Sequence, residues 1–277
     1  MLNAASPRDI GVEKDYHTVT RGDGVKDRHT IEDVVSSLEN LAAPVIHKIL
    51  GGNGLTFDDY QVFVVFVAQM LLRVPARRDS AGQMASEILK HKSKGFAANK
   101  ESFHADYRRF QRETGDTSDL DPENLRQFIL GDGYELTVNS SAALGLSLSA
   151  IDIATKCLLR MEWLFLRGRG RFRIITCDNP VFYCDPTIPP NSWRGVGLMN
   201  PNVEVSFPLS PDVVAFGSYH RKRRMTMDIE PEVVRRFNQH TVDSAFRHIF
   251  ACEDSAALQN FIRRNNDSNR PVEPYVH

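Results

Sequence analysis

The spacing of apolar residues changes near residue 170, and this change most constrains how the chain can fold. Before it, apolar side chains recur every three or four residues in the segments 31–50, 56–74 and 140–166, which is typical of helices. After it come short runs rich in β-branched and aromatic residues, separated by Pro, Gly and Asn, which is typical of strands. These runs are 172–177, 181–185, 203–209, 213–219 and, more weakly, 224–229. Helices followed by strands predict an α+β fold, in which a helical N-terminal half packs on a small, mainly antiparallel C-terminal sheet with further helices.

Local signals predict where several helices begin and end. Thr56 and Asp59 have the spacing of a capping box at a helix start. Pro75 is expected to end that helix, because proline lacks the N–H that a helix interior requires. Asp121 followed by Pro122 predicts the start of a short helix, with proline at its first position.

The number of domains is predicted from the absence of linkers and repeats in the sequence. Neither an internal repeat nor a Gly-Ser or Pro-rich linker occurs, and the polar stretch 79–113 has one continuous helical pattern. We therefore predict a single compact domain, 1–277, with a mostly helical sublobe, 1–166, and a sublobe of sheet plus helices, 167–277.

Composition and the N-terminal residues favour a cytoplasmic protein without a membrane span. Apolar residues make up 42% and charged residues 25%, as in ordinary globular proteins, and the net charge is −1. The first residues lack a basic stretch followed by an apolar one, so no secretory signal is indicated. The apolar run 62–72 is far shorter than the roughly 20 residues that span a bilayer, and it predicts a buried helix. Four cysteines without a CxxC pair are read as reduced thiols.

The common catalytic and cofactor motifs are absent. The sequence contains neither GxxxxGK[ST] nor GxGxxG, so the usual phosphate-binding loops are missing. GxSxG and HExxH are also missing, which argues against the familiar serine hydrolases and zinc peptidases. These patterns leave the identity of any cofactor or metal unknown.

One candidate site arises from polar residues placed on apolar elements. Gln69 and Arg73 lie one turn apart on the apolar helix 56–74, where an unpaired guanidinium would cost several kcal/mol. An apolar strand runs directly into Asp178 and Asn179, so we predict that Arg73 lies within hydrogen-bonding reach of one of them. In one interpretation this pairing is structural. In the other, Gln69, Arg73, Asp178 and Asn179 form a catalytic site, where Arg73 binds an anion and Asp178 is a general base or metal ligand.

Two basic segments border the predicted strands. Residues 156–224 contain eleven basic and five acidic residues, an asymmetry that can mark a phosphate-rich partner. The alternative is a solvated surface, since no aromatic residues interleave with these charges. The residues concerned are Arg167, Arg169, Arg171, Arg173, Arg221, Lys222, Arg223 and Arg224.

Several motifs together resemble the family catalogued as domain of unknown function 4238 (DUF4238). They occur in the family's order, from about residue 10 to residue 251, and Asn238 fits the family's late Asn-bearing helix. The matching segments are IGVEKDYHTV (10–19), the segment 31–50, QMLLRVPARR (69–78), ITCDNPVF (175–182), FPLSP (207–211) and RRFNQHTVDSAFRHIFA (235–251). The resemblance implies a fold but supplies no reaction.

One departure from the family separates two functional hypotheses. Family members typically begin with a His-His-Tyr-x-Pro-like segment, and the first histidine here is His17, inside a later motif. If that segment supplies catalytic histidines, this chain is expected to be truncated or inactive. The first hypothesis is a hydrolase-like enzyme, acting on phosphodiesters, with its site around Arg73 and Asp178. The second is a non-catalytic interaction or nucleic-acid-associated protein, in which the same residues form a structural network.

Overall fold

The elements of the fold follow the predicted order of helices and then strands. The computed structural model describes residues 29–115, 120–170, 172–189, 195–220, 226–265 and 273–276, with residues 3–4, 16, 18–20, 26–27 and 118. Its helices are α1 (Thr30–Leu50), α2 (Phe57–Leu72), α3 (Pro75–Ala98), α4 (Lys100–Thr114), α5 (Pro122–Leu130), α6 (Ser140–Ser149), α7 (Ile151–Leu159), α8 (Pro231–Ser244) and α9 (Ala256–Asn265). Its strands are β1 (Asn3–Ala4), β2 (Val19–Thr20), β3 (Lys26–Asp27), β4 (Glu162–Gly168), β5 (Thr176–Cys177), β6 (Phe182–Cys184), β7 (Glu204–Ser210), β8 (Val213–Ser218), β9 (Thr226–Ile229), β10 (His248–Ala251) and β11 (Glu273–Val276). The chain is therefore α+β.

The chain divides into two compact units. The first is formed by Met1–Arg78 together with Ser147–His277, and the second by Asp79–Leu146. The second unit is thus an insertion in the sequence of the first. The predicted division into sublobes 1–166 and 167–277 has different bounds and stays a prediction.

The main sheet of the first unit has five strands in the order β6-β7-β8-β4-β9. All neighbours are antiparallel except β4 and β9, so the predicted mainly antiparallel sheet is confirmed. Side chains of β4 alternate between two buried clusters. Trp163 packs edge-on against Phe63 of α2, with ring centroids 5.2 Å apart, whereas Leu164 belongs to the cluster that contains Phe237 of α8. The sheet consequently has apolar cores on both faces.

The predicted helix 140–166 is wrong at its C-terminal end. Helix α7 ends at Leu159, and the following apolar residues form β4 at the centre of the sheet. A strand that is buried on both faces has a continuous apolar sequence, which periodicity does not distinguish from a buried helix. The polar stretch 79–113 likewise contains two helices, because Asn99 breaks it and its side chain caps α4 by accepting the N–H of Ser102.

The predicted helix boundaries around α2 and α5 are confirmed. Thr56 and Asp59 form a complete capping box at the start of α2. Helix α2 ends at Leu72, and Pro75 begins α3. Asp121 caps α5 by accepting the N–H of Asn124.

A second sheet brings the end of β5 to the corner after α8. Its strand order is β1-β11-β10-β5, and β10 pairs antiparallel with β5 and parallel with β11. Ile175 and Cys177 are buried there with Ile249. The predicted strand 172–177 is therefore regular only at its last two residues, and those residues lead directly into Asp178.

The second unit, Asp79–Leu146, contains several ion pairs among its described residues. None of the three buried apolar clusters contains one of its residues. The Arg126 guanidinium donates to the Ala97 carbonyl at 3.0 Å and pairs with Glu123 at 2.8 Å. Asp132 pairs with Lys90 at 2.8 Å and with Lys94, and these hydrogen bonds lower the pKa of Asp132 to about 2.

Judged by length and composition alone, two stretches of the described chain could cross a bilayer. They are Ser140–Leu159 and, as a bent pair, α2 with α3. This is weak evidence, because helices in the core of globular proteins pass the same test. Phe63, Val64 and Val67 are fully buried, as predicted for the run 62–72.

Candidate functional site

Asp178 lies in the turn after β5, where its carboxylate binds the corner between α8 and β10. Its Oδ1 accepts the backbone N–H of Phe246 at 2.9 Å, and its Oδ2 accepts those of Arg247 at 2.8 Å and His248 at 3.2 Å. The N–H of Asp178 donates in return to the carbonyl of His248 at 3.1 Å. The carboxylate therefore joins two segments that are about seventy residues apart in the chain.

Asn179 is buried beside the last turn of α8. Its Nδ2 donates to the Ser244 carbonyl at 2.9 Å, and its own carbonyl accepts from the Ser244 hydroxyl at 2.9 Å. Its Oδ1 is buried and has no hydrogen-bond partner among the described residues. The Cys177 thiol also donates to the Asn179 carbonyl, and burial raises the pKa of this thiol to about 12. Cys177 is therefore a protonated core residue and not a nucleophile.

Arg73 has a different partner from the predicted one. It is the C-cap residue of α2, directly after Leu72. Its guanidinium pairs with Glu39 of α1. The Tyr16 hydroxyl donates to the carbonyl of Arg73. The predicted contact of Arg73 with Asp178 or Asn179 is therefore wrong. The guanidinium does need an acidic partner, but α1 packs directly on α2 and supplies one, whereas Asp178 accepts from backbone amides instead.

The structure groups the four predicted site residues in two pairs. Gln69 is buried on α2, one turn before Arg73, and its Oε1 has no partner among the described residues. Asp178 and Asn179 are adjacent in the turn after β5. No hydrogen bond connects one pair with the other within the part of the chain that the structure describes.

A buried row of polar side chains on α8 was not predicted from residue type or spacing. Asn238 is fully buried, and it accepts the Ile175 N–H at 3.1 Å and donates to the Arg173 carbonyl at 2.8 Å. Thr241 donates to the Ile175 carbonyl at 3.4 Å, and Ser244 continues the row toward Asn179. The sequence signal that could have revealed this row is the spacing of positions 238, 241 and 244. This spacing places three polar residues on one face of the helix. These residues hold the segment 173–179 against α8.

His240 is a neutral aromatic residue in this part of the fold. Its ring stacks on Phe182 with a centroid distance of 4.5 Å. Burial, and secondarily the charge of Arg236, lowers the pKa of His240 to about 4. The imidazole is therefore uncharged at neutral pH and is a weak base.

Arg77 is a further cation whose packing the sequence did not reveal. Its guanidinium lies over the Tyr183 ring, 4.9 Å from the centroid. Its Nε–H is buried and donates to no acceptor among the described residues. The stacked ring stabilises the cation without neutralising its charge.

The described residues of the two predicted basic segments have acceptors within the protein. Arg167 donates to the Leu50 carbonyl at the end of α1, at 2.7 Å. Arg169 pairs with Asp228, and Arg173 pairs with Asp212. Arg171, Arg221, Lys222, Arg223 and Arg224 lie outside the described residues.

The side chains of the described segments assemble no metal centre, because no group of three or more His, Cys, Asp or Glu residues in them is placed to hold an ion. The observed contacts around Asp178 and Asn179 are hydrogen bonds between main chain and side chain. These hydrogen bonds fix the turn between β5 and β6 to the corner between α8 and β10.

Comparison with known proteins identifies a family. No curated protein and no solved structure matches the chain. The family model described as "Protein of unknown function (DUF4238)" matches residues 1–255 of the 277. This range contains the motifs on which the sequence resemblance depends, including those around Tyr16, Arg73, Asp178 and Asn238. The chain belongs to the DUF4238 family.

Proposed function

We propose that this protein acts by binding another macromolecule, and that Asp178 and its neighbours are a structural network and not a hydrolytic site. The observation that carries this proposal is the engagement of the Asp178 carboxylate by three backbone amides. A general base or a metal ligand needs a lone pair that faces the substrate or the ion. Both oxygens of Asp178 instead hold the main chain.

The surrounding groups support the same conclusion. The charge of Arg73 is neutralised by Glu39, so it is not a free anion-binding group. The Cys177 thiol is protonated because burial raises its pKa to about 12. His240 has a pKa of about 4, too low for efficient proton transfer near neutral pH. A nucleophile paired with an activating base is therefore absent from the described residues at this position.

A binding role is supported by the apolar surface of the second unit. Many of its large apolar side chains face solvent, although isolated domains normally bury such groups. These exposed residues are Met84, Ile88, Leu89, Phe96, Phe110, Leu120, Phe128 and Leu146. Apolar residues that a unit leaves exposed favour contact with a partner.

Nucleic-acid contact is the less favoured form of binding. Arg167, Arg169 and Arg173 have acceptors within the protein, so each would have to exchange one of these for a phosphate. The other predicted basic segment, residues 221–224, lies outside the described residues.

The experiment that tests the proposal compares the wild-type chain with Asp178→Asn and Asp243→Asn. Asp243 is an exposed residue on α8, and among the described residues its side chain hydrogen-bonds with Gln239 only, so it controls for the chemical change itself. Each protein is incubated with bis(p-nitrophenyl) phosphate and Mg²⁺ or Mn²⁺. We expect all three proteins to give the rate of the buffer blank, while Asp178→Asn alone lowers the unfolding midpoint. Wild-type turnover that disappears in a folded Asp178→Asn variant would overturn the proposal.

A further inference from the structure

We propose that Arg77 and Tyr183 form a binding site for a terminal phosphate group, such as that of a small phosphomonoester. The inference goes beyond the proposed function, because these two side chains share no hydrogen bond with the Asp178 network in the described chain. It is carried by a guanidinium without an acidic partner, by an unused hydroxyl beside it, and by a buried amide on the same side of the main sheet.

The guanidinium of Arg77 carries a charge that the described residues do not neutralise. Arg77 lies in the first turn of α3 and is half-buried, and its side chain forms neither an ion pair nor a hydrogen bond with a described residue. Its Nε–H is buried and has no acceptor, and its contact with the Tyr183 ring leaves the charge in place. A half-buried cation with an unused donor destabilises a fold, and an anion bound to the guanidinium offsets this cost.

The other half-buried arginines of the described chain each have an acidic side chain or a carbonyl as acceptor. These arginines are Arg73, Arg126, Arg167 and Arg173. Arg77 has the same degree of burial without such an acceptor. The first turn of α3 contains no acidic residue either, although the positive end of the helix dipole favours one. The acceptor that the protein supplies elsewhere is therefore left for a ligand to supply at Arg77.

The Tyr183 hydroxyl is a second unused donor at this position. Tyr183 is half-buried on β6, which lies at the edge of the five-stranded sheet. Its ring lies under the Arg77 guanidinium, with 4.9 Å between the guanidinium carbon and the ring centroid. Its hydroxyl forms no hydrogen bond with a described residue. The ring therefore holds the guanidinium in place, and the partial exposure of both side chains leaves them accessible from solvent.

A buried amide on the same side of the sheet also lacks a partner. Phe63 of α2 packs against aromatic rings of β4, and Phe66, one turn later, packs against Phe207 of β7, so α2 crosses the sheet toward β6. Gln69 follows after a further turn, and Tyr183 packs against the same apolar cluster as α2. Gln69 is 3% exposed and its Oε1 has no partner among the described residues. Because buried polar groups are normally paired, two unpaired groups on this side of the sheet indicate a site that a ligand completes.

The arrangement of the donors fits a tetrahedral oxyanion. The guanidinium lies over the face of the Tyr183 ring, whereas the hydroxyl lies in the plane of the ring. A carboxylate has two oxygens in one plane, so it pairs with the edge of a guanidinium and leaves the hydroxyl unused. A phosphate group has oxygens in several directions, so two can accept from Arg77 while a third accepts from Tyr183. One cation suits one protruding phosphate, whereas the backbone of a duplex is bound through several contacts along its length.

The first test is isothermal titration calorimetry of inorganic phosphate into the full chain, with the ionic strength held constant by NaCl. We compare wild type, Arg77→Gln, and Arg235→Gln as a matched control, because the Arg235 guanidinium also lies over an aromatic ring, 5.1 Å from the centroid of Phe172. We expect wild type to bind phosphate with a dissociation constant on the order of 1 mM, and Arg77→Gln to bind at least about tenfold more weakly. Arg235→Gln should bind like wild type. A wild type that binds no phosphate, or equal binding by all three proteins, would overturn the site.

The second test concerns the hydroxyl, which Tyr183→Phe removes while keeping the ring under Arg77. This variant should bind phosphate roughly three- to tenfold more weakly than wild type, because one hydrogen bond to the ligand is lost. Acetate should bind equally to wild type and Tyr183→Phe, because a carboxylate leaves the hydroxyl unused. Equal affinities of wild type and Tyr183→Phe for phosphate would overturn the arrangement of the donors.

Thermal unfolding separates a ligand site from a structural role of Arg77. In phosphate-free buffer the unfolding midpoint of Arg77→Gln should be close to that of wild type, because the lost guanidinium has no partner to leave unpaired. Phosphate should raise the midpoint of wild type and of Arg235→Gln, but not that of Arg77→Gln. A low midpoint of Arg77→Gln without phosphate, together with no effect of phosphate on wild type, would assign Arg77 to the structure and overturn the site. Dimethyl phosphate represents the nucleic-acid backbone, and binding as tight as that of inorganic phosphate would overturn the preference for a terminal phosphate.

Discussion

Replacing Asp178 by alanine tests whether its carboxylate fixes the corner between α8 and β10. The change removes the acceptor of three backbone N–H groups, of which those of Phe246 and His248 are half-buried and that of Arg247 is exposed. The exposed group can bind water instead. Each half-buried donor left without a partner costs about 1–2 kcal/mol, so Asp178→Ala should lower the free energy of unfolding by about 2–4 kcal/mol. In domains of this size such a loss lowers the melting temperature by roughly 5–15 °C.

Urea denaturation followed by tryptophan fluorescence measures this loss, because Trp163 is fully buried in the core of the same unit. Asp178→Asn should cost less than Asp178→Ala, because the amide keeps one acceptor oxygen while its NH₂ faces an N–H donor. Asp243→Asn on the exposed side of α8 is the control and should change stability by less than about 0.5 kcal/mol. If Asp178→Ala also changed stability by less than that amount, the structural role of this carboxylate would be refuted.

Four further predictions follow from the packing, the ion pairs and the sequence. Gly217→Ala should destabilise the fold by about 1–3 kcal/mol in the same urea assay, because the new Cβ would lie 3.0 Å from the buried Trp163 ring. The ion pairs of Asp132 with Lys90 and Lys94 keep its pKa near 2, below the ordinary 3.8, so their stabilisation is present above about pH 4 and lost as the pH falls toward 2. Limited proteolysis with pepsin should therefore cut residues 79–146 faster over that pH range, and unchanged cutting rates would contradict this. Changing residues 221–224 together to serine should reduce any weak binding of duplex DNA and its salt dependence, measured by fluorescence anisotropy at two salt concentrations, where each phosphate contact contributes a slope of about −0.9. The expressed chain should be recovered without detergent because α2 is buried, and retention in the membrane fraction after a salt wash would count against this.

Local sequence signals predicted the boundaries of α2 and α5 well. A capping box or a proline acts through its own backbone neighbours, so Thr56, Pro75 and Asp121 have the same effect in the fold as in a short peptide. The strand β4 was missed because Trp163 and Leu164 are both buried, on opposite faces of one sheet. Its sequence therefore lacks the polar alternation that identifies a half-exposed strand.

The candidate site was predicted less well because its contacts are distant in sequence. The charge on Arg73 correctly indicated a paired guanidinium, but periodicity gives the face of a helix and not the element that covers it. Asp178 was correctly placed after a strand, yet its three donors lie about seventy residues later in the chain. The exposure of Met84, Ile88 and Phe96 on α3 was also hidden, because a helical pattern does not show which side faces the solvent.

The insertion of residues 79–146 has a consequence for the order in which the protein is made. Helices α1 and α2 leave the ribosome first, but the strands that cover Phe63 and Val67 include β4 and β8. Strand β8 follows α2 by roughly 140 residues, or about 7–30 s of translation at 5–20 residues per second. Until α7 is synthesised, roughly 80 residues after α2, the apolar surface of α2 has only α1 to pack against among the described elements. Nascent chains of this protein are consequently expected to expose part of this apolar surface until β8 has been synthesised.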